Sequence, residues 1–222
     1  MRRLGSVFGF PVYAQPTFLV LIALWVLPDV RTAQGLSQGL IGALIMTLSI
    51  LLHELGHALA YRLFGEPNAT IVLWGLGGLT YGRKPGRPWQ DIVISLAGPF
   101  FGFVLGMASL WASVAFGRRL DPRLADVLGL LVFINLFWTV VNVLPIHPMD
   151  GGQALRTLLV SWKGLAGLKA SLVISIATAV LAGLAAWRFG QIFIVILAAM
   201  MLMRNVGELR GQGSGVPRPP GL

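Results

Sequence analysis

Three ionisable side chains fall within five residues at His53-Glu54-Leu55-Gly56-His57, a run of the form H-E-x-x-H. On a helix, residues four apart lie one turn above another on the same face, so both imidazoles can turn a nitrogen toward one divalent ion. Glu54 sits about 100° around the helix, within reach of a water held by that ion. Zinc lowers the pKa of such a water toward about 7, and a carboxylate can then take its proton. These residue types at this spacing therefore fit metal-assisted hydrolysis with Glu54 as general base.

Two imidazoles leave a metal short of ligands. Asp29, Glu66, Asp91, Asp121, Asp126 and Glu208 fall in loops or near the ends of apolar runs. Asp150 differs: it lies in Asn142-Val143-Leu144-Pro145-Ile146-His147-Pro148-Met149-Asp150-Gly151-Gly152, directly after an apolar run. Pro145 and Pro148 stop a helix, and the glycines let backbone approach closely. Such a bend can aim a carboxylate back at a metal. Asp150 also suits the N-cap of a helix beginning at Gly151, and the two roles are compatible. His147, between the prolines, is an alternative ligand.

The elements that must position these residues are membrane helices. Of 222 residues, 56% are hydrophobic and 11% charged, with a mean hydropathy of +0.79. Soluble domains carry about 25% charged residues, so lipid is the expected solvent. The net charge of +9 does not point to nucleic acid, because the basic residues sit between apolar runs; anionic lipid headgroups are their expected counterpart. The absence of cysteine excludes disulfide frameworks, thiolate zinc sites and cysteine nucleophiles, and it fits a bacterial cytoplasmic membrane.

The fold class expected is an all-α polytopic membrane protein of about six transmembrane helices with a small membrane-associated β element. The spans are read at Thr17–Leu27, Ser37–Phe64, Trp89–Phe116, Leu124–Leu144, Leu168–Trp187 and Gln191–Met203, with an amphipathic stretch after Asp150. The first is short; Val12–Ala14 extends it across Pro16. No small-x-small cleavage pattern follows Leu27, so it is read as retained rather than as a signal peptide. Residues 1–210 form a single membrane domain with its core at 37–160, and the Gly- and Pro-rich residues 211–222 form a disordered tail. Arg2, Arg3, Arg62, Arg83, Lys84 and Arg87 are among the basic residues that fall on the side of both termini, which the positive-inside rule makes cytoplasmic; Arg118–Arg123 dissents.

Between the second and third spans, Ala69–Trp74 is apolar and β-prone and Gly75-Leu76-Gly77-Gly78-Leu79-Thr80-Tyr81 is glycine-rich. Two short strands around a glycine turn are expected, packed beside the site, since exposed backbone at membrane depth needs protein or a wet cavity against it.

H-E-x-x-H in an early span, followed by N-x-x-P-x-x-P-x-D-G from Asn142 to Gly151, resembles the site-2 protease family of intramembrane metalloproteases over Leu48–Leu155. The resemblance implies one zinc ion held by His53, His57 and Asp150, with Glu54 as catalytic base. It implies that Asn142 lies near bound substrate, and that Gly77 and Gly78 belong to a strand that pairs with an unwound substrate segment. Substrates would be single-span membrane proteins, with access controlled by a regulatory membrane partner; oligomeric state is left open. The sequence shows no extension of PDZ or CBS type and is read as a minimal core. One departure is Gly102, where many relatives carry asparagine; Gly98, Gly102 and Gly106 instead form a small-residue ridge suited to close helix packing. The alternative function is a catalytically silent metal-binding membrane protein that binds transmembrane segments. A transporter is disfavoured, because the ionisable groups cluster at one point and no internal repeat is found.

Overall fold

The computed structural model describes residues 1–27, 30–83 and 85–211; the expected tail lies outside the described residues except for Gly211. The chain divides into two compact units, Met1–Asn142 and Val143 onward.

The first unit begins with strands β1 (Arg2–Val7) and β2 (Phe10–Ala14), then helices α1 (Thr17–Val26) and α2 (Ala33–Leu63), strands β3 (Thr70–Trp74) and β4 (Gly77–Tyr81), and helices α3 (Pro88–Phe116) and α4 (Pro122–Val143). The strands form one sheet in the order β1-β2-β3-β4. Both hairpins are antiparallel, and β2 pairs with β3 in parallel, Val12 opposite Ile71 and Ala14 opposite Leu73. The glycine-turn hairpin β3–β4 matches the expectation. The β1–β2 hairpin corrects it: Val12–Ala14 is strand, not an extension of the first span. Pro16 stands at the N-cap of α1 and Phe8 and Gly9 take positive φ, so a tight turn and a fresh helix start replace one continuous helix. Arg62 fixes this hairpin to the end of α2, donating to the Phe8 carbonyl at 2.7 Å and lying 3.9 Å over the Phe10 ring.

Burial follows from the strand period. Phe10 and Val12 of β2 point one way, and with Ile71 of β3 they pack on Leu55, Ala58 and Tyr61 of α2 and Ile94 of α3. A second apolar cluster joins Ile45 and Met46 of α2 to Ile134 of α4, with Leu21, Ile22 and Trp25 of α1 against it. Inside it, Asn135 Nδ2 donates to Ser49 Oγ at 3.0 Å, which satisfies two polar groups at membrane depth.

The second unit holds α5 (Asp150–Lys163), α6 (Leu165–Arg188) and α7 (Ile192–Leu209). Among the described residues, α2, α3, α4, α6 and α7 are long and apolar enough to cross a bilayer. Their outward residues are apolar: Leu40, Leu44 and Leu48 make an exposed stripe on α2, whose other side buries Gly39, Gly42, Ala43 and Met46. This is an integral membrane protein. The first apolar helix, α1, has 10 residues and rises only about 15 Å, half of what a crossing needs.

Candidate metal and hydrolytic site

The sixth and seventh turns of α2 carry His53, Glu54 and His57. The helical period stacks the two imidazoles edge to face, ring centroids 4.9 Å apart, with their Nε2 atoms 3.2 Å from each other. Two nitrogens each about 2.0–2.1 Å from a tetrahedral zinc lie roughly 3.3–3.4 Å apart, so the pair is spaced for one ion. His57 Nδ1 lies 2.7 Å from the Ile94 carbonyl of α3. A carbonyl only accepts, so Nδ1 carries the proton and Nε2 keeps its lone pair for the metal. His57 is 7% exposed and Glu54 5%.

Glycine lets α3 come this close. A Cβ on Gly56 would stand 2.7 Å from the Ala97 carbonyl oxygen, and one on Gly98 would run into the Nε2 atoms of both histidines. The expected small-residue ridge thus has two partners. Gly102 and Gly106 face Thr139 and Leu136 of α4, as helix packing requires, whereas Gly98 makes room for the imidazoles.

Glu54 is held from the sheet. Thr80 of β4 donates to Glu54 Oε2 at 2.7 Å and also lies 3.1 Å from the Glu54 carbonyl oxygen. Gly78, two residues earlier on the same strand face, leaves no space for a Cβ because the Glu54 side chain packs over it. Gly77 meets nothing at its Cβ position but takes φ +133°, a conformation that favours glycine. Burial, and then the Glu54 carboxylate, push the Tyr81 phenol above its ordinary value. β4 ends the sheet, pairing only with β3 among the described strands.

Asn142 is partly buried in the last turn of α4, with no side-chain hydrogen bond to another described residue. In the second unit, Asp150 is the first residue of α5 and 8% exposed. The N-cap position belongs to Met149, so Asp150 stands one residue inside the helix rather than at the cap position expected for it. Gly151 and Gly152 have no room for a Cβ against the backbone of Val143, Leu144 and Ile146, which fold tightly over the helix start. The His147 imidazole faces α7, its Nε2 4.0 Å from Glu208 Oε2.

Sequence reasoning passed over Thr80 and the second role of Gly98. A threonine in a β-prone run carries no local mark. Gly98, four residues before Gly102, reads as packing until the histidines are seen beside it.

The profile of peptidase family M50 matches residues 41–121, which contain the histidine pair, Glu54 and both glycines of β4. Over that segment the chain is similar to peptidase family M50. This chain is 30% identical over 167 residues to a putative zinc metalloprotease of Synechocystis sp., covering 71% of this chain and 44% of the relative. It is also 30% identical over 216 residues to the putative zinc metalloprotease Rip3 of Mycobacterium tuberculosis, covering 91% of this chain and 51% of that one. It thus spans about half the length of the curated relatives it matches. The solved site-2 protease of Methanocaldococcus jannaschii shares the fold of this chain, with a TM-score of 0.66 and 23% identity over 98% of each chain.

Proposed function

We propose that this chain is an intramembrane zinc metalloprotease that hydrolyses peptide bonds within or near transmembrane segments of single-span membrane proteins. The observation that carries the reading is the His53–His57 pair, with Nε2 atoms 3.2 Å apart and one ring locked by the Ile94 carbonyl. Two imidazole nitrogens and a carboxylate are a donor set that zinc accepts, and His53, His57 and Asp150 are the residues assigned to hold one ion. When bound, zinc supplies Lewis acidity to a scissile carbonyl and lowers the pKa of a water.

The remaining steps belong to the chain's own residues. Glu54 accepts the proton of the attacking water and passes it to the departing amide nitrogen, so the peptide C–N bond breaks with protons in balance. Thr80 keeps Glu54 Oε2 in place. A substrate helix must unwind before its carbonyl is reachable, and the open edge of β4 offers backbone partners for the unwound stretch. Asn142, the first residue of the N-x-x-P-x-x-P-x-D-G run, is assigned to hydrogen-bond that stretch by the resemblance of that run. The basic linker from Arg83 to Arg87 supports a cytoplasmic location for the motif end of α2, with both termini cytoplasmic in a bacterial inner membrane.

Wild type and Glu54→Gln, purified in detergent, test the reading together. Zinc near one per chain in both, with cleavage of membrane-segment peptides in wild type alone, is expected. Full cleavage by Glu54→Gln would remove the base, and absence of zinc from both proteins would remove the metal reading.

A further inference from the structure

The mechanism leaves unused a buried polar cluster in the second unit, on helices outside the segment that carries the motifs. Asn205 of α7 is 0% exposed and Ser175 of α6 1%. Between them they take both backbone groups of His147, three residues before Asp150. The His147 N–H donates to Ser175 Oγ at 3.1 Å, and the His147 carbonyl accepts from Asn205 Nδ2 at 2.6 Å. Asn205 Nδ2 also donates to the Met201 carbonyl at 2.7 Å. Two carbonyls facing one end of the amide fix its orientation, since the flipped amide would set oxygen against oxygen. Oδ1 is then left buried with no partner among the described residues. A buried amide that leaves its own acceptor unmet to hold a loop is placed for that loop.

A second anchor lies beyond Asp150. Arg156 of α5 donates to Glu208 of α7 at 2.6 Å. Asn205 and Glu208 are three apart and share a face of α7, so one helix face grips the chain on both sides of the carboxylate. Ordinary glue between membrane helices would join side chain to side chain or to a neighbouring helix. Here the grip falls on irregular backbone beside a proposed ligand.

We propose that Asn205 and Ser175 are positioning residues for Asp150, making α6 and α7 the platform that sets the third zinc ligand. The proposal rests on the reading of Asp150 as a ligand. Outer partners of metal ligands typically contribute 10–100-fold in metal affinity; acting through backbone, each residue here is expected at the lower end, about 10-fold.

The test is zinc affinity of the full chain in detergent, measured by competition with a chromophoric chelator, beside the thermal midpoint of each zinc-free protein. The variants are Asn205→Leu, close in volume but without donors, and Ser175→Ala, which deletes one oxygen. Leu197→Ala, a buried apolar truncation on α7, is the control. Both positioning variants are expected to bind zinc about 10-fold more weakly, whereas the control lowers the midpoint with affinity unchanged. Wild-type affinity in Ser175→Ala and in folded Asn205→Leu overturns the proposal. So does a control that weakens zinc as much as they do at the same loss of midpoint. Should Asn205→Leu fail to fold, Ser175→Ala decides alone. Zinc bound by wild type and lost in His57→Ala shows that the metal reading stands whatever the positioning variants do; a wild type that binds no zinc fails that reading and takes this one with it.

Discussion

Thr80 donates its hydroxyl to Glu54 Oε2 at 2.7 Å, joining the edge strand to the acid of the H-E-x-x-H run. The strand proposed to receive substrate is therefore the strand that holds the proposed base. A hydrogen bond to a charged group contributes about 1.5–3 kcal/mol, and about 1.4 kcal/mol is tenfold in rate. Thr80→Val, equal in shape and lacking the hydroxyl, is expected to lower kcat roughly tenfold with zinc content unchanged and KM little altered. Thr80→Ser should restore most of the rate. Steady-state kinetics on a membrane-segment peptide check both.

Gly98 and Gly102 should part company when each gains a methyl group. At Gly98 the new Cβ collides with both histidine Nε2 atoms, so Gly98→Ala is expected to lose most of its zinc. At Gly102 the Cβ would lie 3.0 Å from Thr139 Oγ1, a side-chain atom that can turn aside. Gly102→Ala is expected to keep its zinc. Metal analysis of the two purified variants separates them.

Removing the metal should act on activity and stability together. A strong chelator is expected to abolish cleavage and lower the thermal midpoint of wild type, because a ligand that binds only the folded state stabilises it by mass action. Zinc added back should restore both. A variant lacking His57 should show neither response.

Alkaline pH offers a check on the sheet. The Tyr81 phenol is raised from 10.0, first by burial and then by Glu54. A raised folded-state pKa favours the protonated phenol, so its contribution is complete below the unfolded value near 10 and is lost as pH rises through the folded one. Tyr81→Phe should therefore lose less stability than wild type between pH 9 and pH 11, as read from thermal midpoints across that range.

What could be read in the sequence was what local periodicity encodes. His53 and His57 announce themselves because a four-residue spacing on an apolar helix puts two imidazoles on one face. Ala69–Tyr81 reads as a hairpin because a β-prone run meets a glycine turn. Asp150 stands out by its proline-bracketed bend, whereas its first-turn place, with Met149 at the cap, depends on how that bend folds over the helix start. The β1–β2 hairpin was hidden, since Val12–Ala14 is as apolar as the helix that follows, and the parallel partner of Val12 is Ile71, far along the chain. α7 runs on to Leu209, past the expected end at Met203. Arg204, Asn205 and Glu208 look like a helix leaving the membrane until the His147 carbonyl and Arg156 are found against the last two.

The register of the β3–β4 ladder carries a further consequence. Thr80 stands opposite Ile71, and Gly78 opposite Leu73. A slip of one residue would exchange the two faces of β4, turning Leu79 and Tyr81 toward the carboxylate and Thr80 away from it. Such a misaligned chain would keep its imidazole pair while its acid lay unheld and crowded by bulk. Correct pairing of five residues in a short hairpin thus acts as a proofreading step between a protein that is merely folded around its histidines and one that is ready to work.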